Sequence, residues 1–139
     1  MQFASRLILS IFLMIGTVSV SAYAADPAPL FLNLTTDNSH QSGVGLNFAK
    51  DQFERGHPLT IFLNDRAVRI GATANTRYFI SHQELLRELI KKGATVLVCR
   101  PCALHYGVSE SNLMPGMQIA YPDVINKALF RDNTRTLTW

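Results

Sequence analysis

Residues 95–109, TVLVCRPCALHYGVS, carry both cysteines of the chain, three positions apart, where an apolar run meets a proline. Thr95 to Val98 is a continuous apolar and β-branched run, the pattern of a strand buried on both faces. Pro101 suits the first turn of a helix, where its missing N–H costs nothing. It also biases Arg100 toward an extended conformation. The stretch therefore reads as strand, sharp break, helix, with Cys99 at the break.

Working outward, the same alternation repeats. Residues 30–34, LFLNL, form an apolar run that ends in the polar cluster 35–39, TTDNS, a loop signal. Leu46, Phe48, Ala49 and Phe53 predict a helix over 41–55, with Gly56 at its C-terminal glycine position. Residues 58–64, PLTIFLN, predict a second strand; 65–78 reads as a loop in which Val68 and Ile70 form a brief extended piece. Ser81-His82-Gln83-Glu84 has the spacing of a capping box, followed by Leu85, Leu86, Leu89 and Ile90 on one helical face, with Lys91-Lys92-Gly93 closing the helix. After the stretch 95–109, the turn Pro115-Gly116 precedes a fourth strand over 117–120. Asp123 is placed to cap a last helix through Phe130, and 136–139 predicts an edge strand. Alternating helices and doubly apolar strands predict an α/β domain with a mostly parallel sheet between helical layers. In such sheets ligands gather beyond the carboxyl ends of the strands. Both 35–39 and the cysteine pair fall at that edge.

The bulk properties set the setting. Arg6, an apolar run over 7–20 and Ala22-Tyr23-Ala24 match a secretory signal with cleavage after Ala24. A retained anchor is the competing reading, but Gly16, Thr17, Ser19 and Ser21 weaken a run already near the ~18-residue minimum for a span. The expectation is a cleaved signal over 1–24, a single domain over 25–139, periplasmic or secreted location, and no stable membrane association after cleavage. The formal charge of +3 comes from scattered basic residues, without the basic stripe of a nucleic-acid binder. No nucleic-acid partner is expected.

Several chemistries fit the cysteine pair. A structural disulfide suits an oxidising compartment, yet a bridge over so short a loop removes little unfolded-state entropy. An inert packed pair is also open. Cys99, Cys102 and His105 spell C-x-x-C-x-x-H, which supplies three metal ligands where structural zinc takes four, so no metal site is assigned. Thiol–disulfide exchange uses a Cys-x-Pro-Cys at a strand-to-helix junction, but here two strand–helix units precede it. A thiolate on Cys99 is favoured by the helix start and by Arg100. Thr36 and Asp37 are candidates for lining the pocket, against the plainer reading of a turn whose hydroxyls bond their own backbone. Arg100 is a candidate for attracting an anionic donor such as thiosulfate, against the plainer reading of a side chain that projects into solvent. His40 and His57 have no partner identifiable from the sequence.

VCRPCALHYGV resembles the segment around the sulfur-carrying cysteine of DsrE/DsrF-like proteins, including the TusD branch. Cys99 matches the family cysteine, Ala103-Leu104 the small-plus-leucine stretch, and Gly107-Val108 its close. LFLNLTTD resembles the first strand and loop, GHPLTIFLND the second strand, and MPGMQIAYPDVINKAL the final strand and helix. The resemblance implies a flavodoxin-like three-layer fold, a homo-oligomer (trimer or hexamer), no cofactor, and a cysteine that takes up sulfane sulfur as a persulfide. It also implies a small sulfur-containing donor or a sulfur-carrier protein as partner. Cys102 goes beyond what simple carriage needs; its spacing suits resolution of a Cys99 persulfide with release of sulfide. A binding module with an inert disulfide and a thiol–disulfide oxidoreductase are the alternatives.

Overall fold

A computed structural model describes residues 27–139; the expected signal segment and its junction lie outside them. Five strands form one sheet in the order β4-β3-β2-β1-β5, and every pairing is parallel. The strands are β1 (Leu30–Leu34), β2 (Leu59–Leu63), β3 (Thr95–Cys99), β4 (Met117–Ala120) and β5 (Arg135–Thr138). The helices are α1 (Ser39–Glu54), α2 (Thr76–Lys91), α3 (Arg100–His105) and α4 (Pro122–Leu129). All five expected strands are present, and Gly56 and Gly93 adopt the positive φ expected just beyond α1 and α2.

Crossovers between parallel strands are right-handed. The steps β1 to β2, β2 to β3 and β3 to β4 all run the same way across the sheet, so α1, α2 and α3 share one face. The step from β4 returns past the whole sheet to β5, which puts α4 on the other face. This gives the expected three layers. Leu32, Ile61, Val96 and Val98 join Leu46, Ala49, Leu86 and Leu89 in the core beneath the first layer. A fully buried Leu such as Leu32 contributes about 1.5–3 kcal/mol relative to exposure. The second face is covered more thinly, since α4 is only eight residues long and has no fully buried residue.

Three local expectations are corrected. The loop after β2 is not extended at Val68 and Ile70; residues Asp65–Gly71 form a 3-10 segment. Asn64 starts it by accepting the Asp65 N–H, and Ala67, Val68 and Ile70 turn inward at this tighter period. The buried Gln83 then holds the segment to α2, donating to the Ile70 and Ala72 carbonyls at 2.8 and 2.9 Å. Second, α2 begins at Thr76 and kinks at Phe79, so Ser81 lies inside it rather than capping it. A turn from Thr76 joins the main helix across a break at Phe79 (φ −127°, ψ 28°), and the Thr76 hydroxyl donates to the Gln83 Oε1 at 2.7 Å. Third, α4 is capped at Tyr121, and Asp123 sits in its first turn because Pro122 already occupies the start.

The C-terminus is tied down. The Trp139 N–H donates to the Asn33 carbonyl, and the Trp139 carbonyl accepts from both the N–H and hydroxyl of Thr35. Its indole stacks on Phe48, with ring centroids 6.0 Å apart, and covers Gly45. A Cβ on Gly45 would stand 2.7 Å from the indole, whereas one on Gly43 meets nothing closer than 3.5 Å. Both glycines lie inside α1. Gly43→Ala should therefore raise stability by up to about 1 kcal/mol through helix propensity. Gly45→Ala should lower it by about 1–3 kcal/mol, since the clash outweighs the propensity gain. Trp139 is the only tryptophan, so its emission should shift to longer wavelength in Gly45→Ala alone, alongside the lower melting temperature.

Candidate functional site

Both cysteines stand at the carboxyl edge of the sheet. Cys99 is at once the last residue of β3 and the N-cap of α3, with Pro101 in the first turn of that helix. The Cys102 N–H donates to the Cys99 Sγ at 3.3 Å, so the sulfur takes the place a serine or aspartate oxygen takes at an ordinary cap. The two sulfurs form a disulfide, with Cα atoms 5.3 Å apart. Cys99 is only 6% exposed, while Cys102 is half-buried.

The surface Cys99 does show lies against a cavity of about 310 Å³. Phe62 from β2, Ala120 from β4, and Tyr121, Pro122 and Ile125 around the start of α4 line it, with Arg100 at the cysteine side. The cavity's position follows from topology. The chain leaves β3 toward the first layer and leaves the adjacent β4 toward the second, so the two connections part above the paired residues Cys99 and Ala120. A crevice opens where neighbouring strands send their connections to opposite faces. The exposed Arg100 guanidinium lies 6.0 Å from the centroid of the Tyr121 ring.

The residues picked out at the end of β1 sit apart from this cavity, because β2 separates β1 from β3. Thr36 accepts the Asn38 N–H at 3.1 Å, a local turn bond. Asp37, with its side chain 9% exposed, is held by Arg66 Nε at 2.9 Å and Arg69 Nη1 at 2.7 Å. Both arginines are well exposed, so each pair contributes only about 0.2–1 kcal/mol. Together they pin the 3-10 segment to the loop after β1. His57 does have a partner: its Nδ1 lies 2.7 Å from the Ala28 carbonyl. His105 packs edge-on against Tyr106.

Several residues at the site escaped the sequence reading. Asn64 follows β2, and the register Leu63↔Val98 sets it beside Cys99. Its Oδ1 lies 3.1 Å from the Cys102 Sγ. The next residue, Asp65, accepts a 2.7 Å hydrogen bond from the Tyr106 hydroxyl, joining the 3-10 segment to the end of α3. That bond, followed by burial and the carboxylate's charge, pushes the Tyr106 hydroxyl above the usual tyrosine range. Parallel pairing was legible, and exact register would have pointed to Asn64. Nothing in the composition marks Tyr106.

With this geometry in place, comparison with known proteins gives a consistent answer. The DsrE/DsrF-like family matches residues 30–138. The uncharacterized protein MK0008 of Methanopyrus kandleri is 32% identical over 92 residues, covering 65% of this chain and 76% of its own. The uncharacterized protein MJ0989 of Methanocaldococcus jannaschii is 33% identical over 76 residues, covering 54% and 67%. Among solved structures, the YchN protein from E. coli superposes with a TM-score of 0.67 at 21% identity, covering 81% of this chain and 99% of its own. MTH1491, a protein of unknown function from Methanobacterium thermoautotrophicum, gives 0.64 at 8% identity, with the same two coverages. These two superpositions establish the fold.

The Tyr106–Asp65 bond has a measurable signature. A hydroxyl whose folded pKa is raised adds stability that is complete below the ordinary tyrosine value near ~10 and is lost as pH rises through the folded value. In an alkaline absorbance titration, one ionisation, that of Tyr106, should fall above the ordinary tyrosine value. Asp65→Asn should bring it back down, since the neutral amide removes the charge and tolerates the φ of +46° found there.

Proposed function

Because the chain belongs to the DsrE/DsrF-like family, we propose that it handles sulfur, accepting sulfane sulfur as a persulfide on Cys99 and resolving it with Cys102. The observation that carries this is the placement of Cys99. Its sulfur accepts a backbone N–H, which favours thiolate, and it borders a cavity at the split between β3 and β4. Family membership supports a role in sulfur relay.

The steps balance as follows. A dithiol reductant first opens the Cys99–Cys102 bridge with two electrons. The Cys99 thiolate attacks the outer sulfur of a donor such as thiosulfate; a new S–S bond forms, the donor's S–S bond breaks, and sulfite leaves. Cys99 now carries a persulfide anion. The Cys102 sulfur attacks the inner sulfur of that persulfide, the disulfide re-forms, and sulfide leaves with the Cys102 proton as HS⁻. Alternatively an acceptor protein takes the outer sulfur before Cys102 does, and the chain acts as a sulfurtransferase-like carrier. Arg100, at the cavity and exposed, draws the anionic donor in. Thr36 and Asp37 act on this donor only indirectly, by shaping the loop beside the 3-10 segment.

We further propose that the protein works after export, in the periplasm or outside the cell, as a homo-oligomer. The signal-like sequence of 1–24 supports the first. The thin second layer supports the second: Val124, Ile125, Ala128 and Leu129 are only half-buried, and Tyr121 and Phe130 are 50% and 74% exposed. A second copy seated on α4 would cover them and roof the cavity. Phe130→Glu should then lower the mass measured by light scattering to that of a smaller species, while an unchanged mass would remove α4 from the interface.

Intact-mass spectrometry tests the chemistry. Reduced residues 25–139 incubated with thiosulfate should gain one sulfur atom as Cys102→Ser, gain none as Cys99→Ser, and release sulfide with both cysteines present. Absence of the adduct on Cys102→Ser refutes persulfide formation. A reduction potential below about −300 mV would mark the pair as a structural bridge in a non-catalytic binding module. A higher potential with no adduct would mark a thiol–disulfide oxidoreductase.

A further inference from the structure

The two sulfurs meet opposite environments. The Cys99 Sγ faces a donor, the Cys102 N–H at 3.3 Å. The Cys102 Sγ faces an acceptor, the Asn64 Oδ1 at 3.1 Å. We propose that Asn64 is a positioning residue that decides which sulfur keeps its proton once the bridge is reduced: Cys102 remains a thiol, donating to Asn64, while Cys99 ionises.

The orientation of the Asn64 amide is set by its neighbours. The Asp65 N–H lies 2.9 Å from Oδ1, and a backbone N–H requires an acceptor there, so that atom is the oxygen. The amide nitrogen points the other way and donates to the Asn33 Oδ1 at 3.2 Å. The Asn64 backbone N–H is bound to the Leu34 carbonyl at 2.8 Å, which anchors the residue between β1 and β2. The oxygen therefore cannot swing away or flip without breaking these bonds. In the disulfide the Cys102 sulfur carries no hydrogen, and the approach is a bare sulfur–oxygen contact. Reduction places a hydrogen where Oδ1 can accept it. A Cys102 thiolate would instead face an oxygen lone pair, and among the described residues no N–H donates to that sulfur.

Charged and titratable groups on the surrounding elements do not supply this asymmetry by themselves. Asp65 is bonded to the Tyr106 hydroxyl, and Asp37 is bonded to Arg66 and Arg69. On α3, Arg100 stands over Tyr121 at the cavity and His105 packs on Tyr106. Their charges act on both sulfurs, three residues apart, whereas the Asn64 contact acts on Cys102 alone. The consequence for function, which rests on the sulfur-handling reading, is a persulfide that outlives its formation. Cys102 held as a thiol attacks the inner sulfur slowly, leaving time for an acceptor to collect the outer one.

The test requires no sulfur donor, so its failure and that of the persulfide reading are separable. In Cys99→Ser and Cys102→Ser proteins, the remaining thiol is titrated by the pH dependence of its alkylation with iodoacetamide. Cys102 should titrate above an ordinary cysteine, near ~8.5, and Cys99 below it. Asn64→Ala should lower the Cys102 midpoint, with alkylation at neutral pH rising several-fold, and leave Cys99 unmoved. Asn64→Asp, which keeps an oxygen for the Asp65 N–H but adds a negative charge, should raise the Cys102 midpoint. Loosening of the 3-10 segment alone would move Cys102 in the same direction in both variants. That result, an unmoved Cys102 midpoint, or a joint shift of both thiols in Asn64→Ala would overturn the proposal.

Discussion

A parallel strand is joined to its neighbour almost always by a right-handed crossover, and the direction of each step decides which face the connection covers. Here three successive steps run one way and the last runs back. The reversal parts the chain above Cys99 and Ala120, where one connection drops into α3 and the other into α4. The cavity is a product of that parting rather than of any particular side chain. Phe62, Pro122 and Ile125 give it an apolar lining, but the gap exists because two backbones leave adjacent strands toward opposite layers.

On this scaffold a small number of bonds surround the two cysteines. Cys99 does the work of a helix cap, so a backbone N–H that starts α3 is aimed at its sulfur. Asn64 does likewise on the other side: the oxygen that starts the 3-10 segment also faces Cys102. The atoms that cap these two segments are thus the ones that touch the sulfurs. The 3-10 segment is in turn held by Gln83 from α2, by Asp37 from the loop after β1 and by Tyr106 from α3. Three separate parts of the chain therefore converge on the segment that Asn64 caps and Asp65 begins.

Much of this was legible in the sequence. The first three strands were visible as short apolar runs, the fourth from the turn before it and the fifth as an edge segment. The glycines at 56 and 93 marked the ends of α1 and α2, because only a residue without a Cβ takes those φ values cheaply. The capping pattern at Ser81 fell two residues after the backbone break at Phe79, across which a short turn from Thr76 joins the same helix. Val68 and Ile70 misled because alternation over three residues reads as a strand, whereas in the 3-10 segment it is Ala67 and Ile70, three apart, that share a face. Asp37 was visible as a polar residue at the right edge, but its two arginine partners lie 29 and 32 positions away.

Position along the chain was enough to place both cysteines at a strand-to-helix break, because a proline after an apolar run permits little else. It was also enough to predict a parallel sheet, since strands apolar on both faces need cover on both. Tertiary structure alone decided how each sulfur is surrounded. Asn64 reaches Cys102 across 38 positions only because β2 and β3 pair in one register, and a shift of a single residue would turn a different side chain toward the site.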